Sequence, residues 1–255
     1  MPAYFDTYAG DYTASVERSV GFTGRKIEFF HQRKIDVLRR IGGRHLASMA
    51  AASVLDVGCG AGVTGSMLRP YVASVHGIDV SPLMVQQARE RSRECTFDVF
   101  DGSRLPFDDC SFDLVMTICV LHHVPPERWE PFTAELVRVV RPGGLAVIIE
   151  HNRLNPMTRR AVNTCPFDAD AVLVPHRRAA RMLRAAGAQP VEIHNFLFSP
   201  LAGRVGSALE RGCSPIPFGG QYAAAGFRAS SPSVAVRFGV PRRLPAPANR
   251  RVTTS

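Results

Sequence analysis

The stretch VLDVGCGAGVTG, residues 54–65, constrains the fold more than any other part of the chain. In it a short apolar run breaks into three alternating glycines, Gly58, Gly60 and Gly62. Glycine adopts positive φ angles without steric cost and lets another group approach the backbone closely. The pattern therefore predicts a buried strand, a tight turn able to hold a ligand, and then a helix, which together begin a parallel β-α-β unit.

Two classes of ligand suit a glycine turn of this kind. A dinucleotide-binding turn follows the pattern G-x-G-x-x-G and places a pyrophosphate at the helix N-terminus. Here Val63 occupies the position of the third small residue, and Asp56 would repel a pyrophosphate but attract an ammonium group. S-adenosylmethionine carries an ammonium, a carboxylate and a ribose but no phosphate, so these residues favour it over NAD.

Apolar and amphipathic segments alternate after this turn, which is the rhythm of an α/β fold. Strands are predicted at SVLDV, ASVHGIDV, TFDVF, FDLVMTICV and LAVIIE, and a helix is predicted to begin at Ser81 and Pro82. Beyond Glu150 we expect a loop-rich insertion, then helix, strand, helix and strand, which would give the sheet an antiparallel edge. The predicted fold is a Rossmann-like, doubly wound, mostly parallel seven-stranded sheet with an antiparallel last strand and helices on both faces.

Charge divides the chain unevenly. Residues 1–150 carry 16 basic and 18 acidic side chains, whereas residues 151–255 carry 15 basic and 4 acidic ones. We predict a helical cap at 1–45, a cofactor-binding core at 46–152, a substrate-side insertion that completes the sheet at 153–227, and a basic, disordered tail at 228–255. The chain has neither an apolar run long enough for a membrane span nor a signal-peptide pattern at its start, so we expect a cytoplasmic location.

Four blocks of the sequence together resemble one known family, the class I S-adenosylmethionine-dependent methyltransferases. The blocks are VLDVGCGAG, GIDVSPLMVQQAR, DGSRLPFDDCSFDLVMTICVLHHV and LVRVVRPGGLAVIIEHN, in the family's order and approximate spacing. The similarity covers about residues 50–152 and is closest to a group of small-molecule methylases that includes quinone-ring methylases. It implies S-adenosyl-L-methionine as the cofactor and methyl transfer as the activity.

The resemblance also implies a role in cofactor binding for each matched position. The methionine moiety would be held by Asp56 and by the backbone of Gly58, Cys59, Gly60, Gly62 and Ile118. Asp79 would accept hydrogen bonds from both ribose hydroxyls, and Val80 would pack on the adenine. Asp101 would accept a hydrogen bond from the adenine amino group, while Gly102 would let the ring lie close.

Candidate catalytic residues must lie where the strands end, because ligands bind at the carboxyl ends of strands in an open α/β sheet. His123 follows the fourth predicted strand and His151 the fifth, so each is a candidate general base or, alternatively, an ordinary loop histidine. This region is rich in polar side chains, which indicate either a hydroxyl-rich or acidic acceptor or a hydrogen-bonded loop anchor. They are Glu150, His151, Asn152, Asn155, Arg159, Arg160, Asn163 and Asp168. The six cysteines show no C-x-x-C pair and no Cys/His ligand spacing, so no metal site is predicted.

Three functions are compatible with these patterns. The leading hypothesis is methyl transfer to a small-molecule acceptor, at oxygen, with nitrogen and carbon left open. A second is a protein that binds S-adenosylmethionine without transferring its methyl group. A third is a nucleic-acid methyltransferase, favoured by the basic C-terminal excess but opposed by the absence of a DPPY or NPPY signature where the fourth strand ends in MTICVLHH. We therefore expect no nucleic-acid partner.

Overall fold

A computed structural model of the chain describes residues 12–198 and 203–229. The helices are α1 (Tyr12–Val20), α2 (Ile27–His45), α3 (Val63–Leu68), α4 (Pro82–Arg91), α5 (Trp129–Arg138), α6 (Pro156–Thr164), α7 (His176–Ala185) and α8 (Gly203–Cys213). The strands are β1 (Ser53–Val57), β2 (Ser74–Asp79), β3 (Thr96–Val99), β4 (Phe112–Ile118), β5 (Val140–His151), β6 (Ala188–Phe196) and β7 (Gln221–Arg228). Every strand predicted from the sequence is present.

The strands form one seven-stranded sheet in the order β3-β2-β1-β4-β5-β7-β6. Strands β1 to β5 pair in parallel, and β7 runs antiparallel to both β5 and β6. The predicted α/β class, with a mostly parallel sheet and an antiparallel last strand, is confirmed. This end of the sheet consists of antiparallel pairs, as predicted, with β7 inside the sheet and β6 at the edge. Composition agrees with this order, since Ala223, Ala224 and Ala225 of β7 are fully buried whereas the middle of β6 is partly exposed.

Helices cover both faces of the sheet, as predicted. On one face Leu136 of α5 and Leu183 of α7 share a buried cluster with Val115 of β4. On the other face Leu38 of α2 and Leu68 of α3 share a second cluster with neighbouring strands. Each such leucine contributes about 1.5–3 kcal/mol relative to an exposed one. Because β1, β2, β4 and β5 are parallel, their carboxyl ends meet at one edge of the sheet, between these two layers.

The segment predicted to be a loop-rich insertion contains a helix. Asn155 caps α6, because its side chain accepts hydrogen bonds from the backbone N–H groups of Met157 and Thr158 at 2.9 and 3.1 Å. Pro156 occupies the first helical position, where its missing N–H costs nothing. The prediction was wrong here although both start signals stand in the sequence.

Pro142, Gly143 and Gly144, a sequence typical of turns, lie within β5. The register between β4 and β5 shifts at this point, because Phe112 pairs with Val140 whereas Leu114 pairs with Leu145. The Pro-Gly-Gly sequence therefore forms an irregularity in a continuous strand. Helix α5 ends before it, at Arg138.

The predicted cap and tail lie partly outside the described residues. Helices α1 and α2 are the described part of the cap, and β7 continues through Arg228, the first residue of the predicted tail. The Arg228 guanidinium donates hydrogen bonds to the carbonyls of Arg138 and Val140 at 2.6 and 2.7 Å. Residues 230–255 of the tail and 1–11 of the cap fall outside the description. Within the described part of the chain, no helix has the length and apolar character needed to cross a membrane.

Candidate active site

The glycine turn after β1 is held open by its backbone conformation. Gly58, Gly60 and Gly62 have φ angles of +77°, +51° and +71°. A Cβ atom on Gly58 would lie 2.4 Å from Val120 Cγ2, so no larger residue fits there. A Cβ atom on Gly60 would meet no atom within 4 Å, so the chain leaves space beside this residue. The turn thus leaves open space beside the backbone of Gly60, and this space between the turn and the end of β2 is called the crevice below.

Asp79 lies at the end of β2 and faces the same turn. Its carboxylate accepts hydrogen bonds from the backbone N–H of Gly60 at 2.8 Å and of Ser81 at 2.9 Å. The Ser81 side chain in turn caps α4 by accepting from the Met84 N–H at 3.2 Å, which confirms the predicted helix start. Asp79 is thereby fixed in position, and its carboxylate has further lone pairs to offer a ligand.

The predicted adenine residues meet at the other end of this crevice. A Cβ atom on Gly102 would lie 3.1 Å from Val80 Cγ1, so the two residues are neighbours. Asp101 is exposed and accepts hydrogen bonds from the Ser103 hydroxyl at 2.5 Å and the Ser103 N–H at 2.8 Å. These hydrogen bonds hold the pKa of Asp101 below its usual range. The structure therefore brings Val80, Asp101 and Gly102 together next to Asp79.

Asp56 is buried in β1 beneath the glycine turn. Burial, together with the nearby negative charge of Asp79, raises the pKa of the Asp56 carboxyl to about 7, and Lys34 opposes the shift. A carboxyl group in this state is readily ionised by a positively charged ligand group. A ligand with a cationic group and hydroxyl groups therefore fits the Asp56 and Asp79 side of the crevice.

The remaining predicted cofactor residues contribute backbone to the crevice. The Cys59 side chain packs with a buried cluster of Val85, Ala88 and Phe97, and the Cys59 N–H donates to the carbonyl of Ile78 at 3.0 Å. Ile118 ends β4 and is half-buried. Their main-chain groups, rather than reactive side chains, are what these two positions offer to a ligand.

Helix α2 adds two residues that were not predicted from the sequence. His31 Nδ1 lies 2.9 Å from Thr64 Oγ1, which joins α2 to the helix that follows the glycine turn. Lys34 is buried and lies close enough to Asp56 to affect its pKa. A signal for Lys34 was present, since Lys34, Leu38 and Ile41 share one helical face and the other two are core residues. A lysine within an apolar stripe indicates a charged partner or a ligand.

Glu150 organises the ends of β4 and β5. This fully buried carboxylate accepts hydrogen bonds from the Leu121 and Val120 N–H groups at 2.7 and 3.1 Å and lies 2.6 Å from His122 Nδ1. Burial disfavours a charged imidazole, but Glu150 and Asp168 outweigh burial and raise the pKa of His122 well above its ordinary value. This pair was not predicted from the sequence, because the two residues lie 28 positions apart and no local pattern links them.

His123 and Asp168 lie beside this pair. Asp168, in a short 3-10 turn at Pro166–Asp168, places Oδ1 3.5 Å from His122 Nε2 and 3.4 Å from His123 Nε2. Burial and the neighbouring His122 lower the pKa of His123 to about 4. The backbone N–H of Val172 donates to the His122 carbonyl at 2.9 Å and ties this turn to the histidine pair.

His151 completes the group of histidines. Its ring centroid lies 5.1 Å from that of His122, and its Nδ1 lies 3.5 Å from Gln221 Nε2. Burial and the charge on His122 lower the pKa of His151 to about 4, so its ring is neutral near pH 7. Gln221 also donates to Cys119 Sγ at 3.2 Å, which links the ends of β4, β5 and β7.

A cavity of about 400 Å³ opens in front of His122 and His151. Its apolar wall comes from the N-terminal helices and from α6, with Val20, Phe22, Phe29, Phe30, Ala161 and Val162 as representative residues. Lys34, Cys119, Asp168 and Gln221 make its polar end. His123 is not among the described residues that line the cavity, whereas His151 is. Of the two predicted bases, His151 is therefore the one within reach of a bound molecule.

Asn152 has a structural role at the cavity rim. Its side-chain amide donates hydrogen bonds to the carbonyls of Pro217 and Gly219, both at 2.9 Å, and its oxygen accepts from the Leu154 N–H at 3.1 Å. Of the two readings that the sequence left open, these contacts support the loop anchor. Asn152 therefore holds the segment before β7 in place next to His151.

Comparison with known proteins identifies the central part of the chain. Residues 54–144 match the family described as "Methyltransferase domain". Among curated proteins, 2-methyl-6-phytyl-1,4-hydroquinone methyltransferase of Synechocystis is 35% identical over 136 residues, covering 52% of this chain and 40% of the relative. Demethylmenaquinone methyltransferase of Tropheryma whipplei is 36% identical over 115 residues, covering 44% and 47%. The matches thus span less than half the length of these relatives.

A solved structure extends the likeness to nearly the whole fold. An S-adenosylmethionine-dependent methyltransferase of Thermotoga maritima, described as a possible histamine N-methyltransferase, superposes with a TM-score of 0.65. The superposition covers 89% of this chain and 100% of that one, at 15% sequence identity. At this identity the comparison establishes the shared architecture.

Proposed function

The chain carries a methyltransferase domain of the class I S-adenosylmethionine-dependent family, and on that basis we propose that it transfers a methyl group to an oxygen atom of a small, largely apolar acceptor. The observation that carries the proposal is the cavity of about 400 Å³, which has mainly apolar walls and a polar end that includes His122 and His151. Such a cavity suits a compact molecule whose reactive group is its only polar end. The quinone-related names of the two curated relatives agree with such an acceptor.

In this proposal the crevice beside the glycine turn holds the cofactor. Asp79 accepts hydrogen bonds from the ribose hydroxyls, and the adenine lies by Val80 and Gly102 with its amino group toward Asp101. The backbone of the turn and of Ile118 borders the methionine moiety. These assignments are supported by the position of Asp79, which Gly60 and Ser81 fix at 2.8 and 2.9 Å, and by the space beside Gly60.

Two buried charges would recognise the two ends of the methionine moiety. Asp56, with a pKa of about 7, is poised to ionise when an ammonium group approaches. Lys34 lies near Asp56 and lines the cavity, so it supplies positive charge for the carboxylate of the same moiety. The pair thereby sets the orientation in which the cofactor's sulfur points toward the cavity.

The chain's own part in the reaction is orientation and acceptance of a proton. Bound S-adenosylmethionine supplies an activated methyl group on a sulfonium, so the protein has little covalent chemistry to perform. The cavity walls align the acceptor oxygen and exclude water. His151 borders the cavity with a neutral ring and takes the hydroxyl proton as the oxygen attacks. His123, the other predicted base, is not among the described residues that line the cavity. Its Nε2 lies 3.4 Å from Asp168 Oδ1, so in this proposal it positions that carboxylate and does not take the proton.

The cap and insertion fit the same scheme. We assign the described part of the predicted cap, residues 12–45, and the segment 153–198 as the two walls that border the acceptor, because both contribute lining residues. The lining of this cavity is mainly apolar, which suits a small molecule better than a charged nucleic-acid backbone and supports the small-molecule acceptor over the nucleic-acid alternative. The histidine group at its polar end supports catalysis over cofactor binding alone.

The test is a transfer assay with S-adenosylmethionine carrying a labelled methyl group. The acceptor panel contains phenols and apolar alcohols, the corresponding ethers and hydrocarbons, amines, carbon acceptors, and RNA and DNA. We expect label only in compounds with a free hydroxyl. Label in nitrogen or carbon acceptors alone would contradict the oxygen assignment, and label in RNA or DNA alone would contradict the small-molecule class.

A cavity-filling variant makes the assay specific to this site. Ala161 lines the cavity, whereas Ala169 is exposed and lies outside its lining. Ala161→Phe should raise the KM for the acceptor and leave the affinity for S-adenosylmethionine unchanged, and Ala169→Phe should change neither. An unchanged KM in Ala161→Phe would place the acceptor elsewhere.

A further inference from the structure

Three potential metal-binding atoms converge at the polar end of the cavity. His122 Nε2, His123 Nε2 and Asp168 Oδ1 all lie within 4.8 Å of one another. Asp168 Oδ1 is 3.5 Å from one imidazole nitrogen and 3.4 Å from the other, which is longer than a good N–H···O hydrogen bond. Two ligands at about 2.1 Å from a tetrahedral ion lie about 3.4 Å apart. The spacing therefore suits an ion between these atoms.

The surroundings of His122 support the same interpretation. Glu150 lies 2.6 Å from His122 Nδ1, so the proton on that nitrogen is held by the carboxylate and Nε2 faces Asp168. A metal ion at Nε2 would replace the proton that the charged ring carries there in the absence of metal. A carboxylate bound to the far nitrogen of a ligating histidine is the usual support of a metal-bound imidazole, because it fixes the ring and makes it a better ligand. Both residues are fully buried, so the ring cannot turn away.

We propose that His122, His123 and Asp168 bind one divalent transition-metal ion at the wall of the acceptor cavity. Two imidazole nitrogens and one carboxylate oxygen form a donor set that favours ions such as Zn²⁺, Co²⁺, Mn²⁺ or Fe²⁺ over Mg²⁺ and Ca²⁺, which prefer oxygen alone. Three protein ligands leave at least one coordination position for another molecule. Because His122 and Asp168 line the cavity, that position faces the acceptor.

The role given to this ion rests on the proposed function, whereas the existence of the metal site does not. An ion at this site would bind the acceptor's hydroxyl oxygen and lower its pKa, and the released proton would pass to His151, 5.1 Å from His122 between ring centroids. The bond from sulfur to the methyl carbon then breaks as the bond from that carbon to oxygen forms. The products are a methyl ether, a neutral thioether and a protonated His151, so charge and atoms balance.

The sequence analysis predicted no metal site. That expectation was based on the lack of paired cysteines and of Cys/His ligand spacing. The donor set found here instead joins two adjacent histidines to an aspartate that lies 45 residues further along the chain. The hydrogen bond from the Val172 N–H to the His122 carbonyl and the turn at Asp168 help to bring them together.

The test is calorimetric titration of Zn²⁺ into the full-length chain after treatment with a chelator, in the absence of cofactor and acceptor. We expect one equivalent to bind, and we expect His123→Ala and Asp168→Asn each to weaken binding more than tenfold. Asp170→Asn is the matched control, because Asp170 is exposed and stands two residues from Asp168. Equal Zn²⁺ affinity in the wild type and in Asp168→Asn would overturn the proposal.

Two further measurements separate this proposal from the proposed function. Zn²⁺ should raise the melting temperature of the wild type but not of Asp168→Asn, and circular dichroism of the variants shows that they are folded. If Zn²⁺ fails to bind and labelled methyl transfer continues at full rate with a chelator present, the metal site is refuted and the proposed function stands. If Zn²⁺ binds but no hydroxyl compound is methylated, the metal site stands and the proposed function fails.

Discussion

Replacement of Asp79 by alanine should weaken binding of S-adenosylmethionine by at least about 100-fold. The Asp79 carboxylate accepts two backbone N–H groups and has the capacity to accept two ribose hydroxyls as well. A hydrogen bond to a charged group contributes about 1.5–3 kcal/mol, so the loss of two costs about 3–6 kcal/mol. Removal of the negative charge near Asp56 offsets part of this loss of binding free energy, because Asp56 then ionises more easily. The lower end of the range corresponds to about 100-fold.

The measurement is calorimetric titration of the cofactor into the variant. Asp98→Ala is the matched control, because Asp98 is a carboxylate in the neighbouring strand β3 that pairs with His76 at 2.8 Å and Arg89 at 2.9 Å, outside the crevice. We expect the control to bind like the wild type. A folded Asp79→Ala variant whose affinity stays within about threefold of the wild type would refute the ribose assignment and the reasoning behind it.

Three other predictions address the base, the buried acid and the core. His151→Ala should lower kcat by about 100-fold or more while affinity for the cofactor stays the same, and an unchanged kcat in a stopped assay would remove His151 as the base. The raised pKa of Asp56 means that the folded chain retains a proton between about pH 4 and 7 that the unfolded chain loses, so this group's contribution to stability falls as pH rises through that window. Binding of S-adenosylmethionine at pH 6 should therefore release close to one proton, and at pH 8 almost none, as measured by calorimetry in two buffers of different ionisation enthalpy; equal release in Asp56→Asn would contradict the assignment. Leu136→Ala, in a fully buried position, should lower the free energy of unfolding by about 2–5 kcal/mol in urea denaturation, whereas the half-exposed Leu83→Ala should change it by less than about 1 kcal/mol.

The sequence predicted those features that depend on short stretches of chain. Strand β1 lies at the SVLDV segment, and α4 begins with the Ser81 cap, because apolar runs and caps act locally. The order of the last two strands was not predictable in the same way. Whether β7 or β6 takes the edge depends on packing of both faces, which only the assembled sheet decides.

The residues of the candidate site also differ in whether a short stretch of sequence could predict them. The crevice residues, such as Asp79 and Gly102, stand in continuous motifs and could be found by resemblance. The pairing of Glu150 with His122 could not, because it depends on the register in which Ile118 lies beside Ile149. Asp168 lies in the short 3-10 turn after α6, 3.5 Å from His122, and no local sequence pattern indicates a contact between such distant parts of the chain.

The most direct test of the account is a crystal structure of the chain with S-adenosylhomocysteine. The account predicts adenosine between Val80 and Gly102, both ribose hydroxyls on Asp79, and the sulfur directed into the cavity toward His151. A complex in which the product occupies another surface, or in which its sulfur points away from the cavity, would contradict the central claim that cofactor and acceptor meet at the ends of β4 and β5.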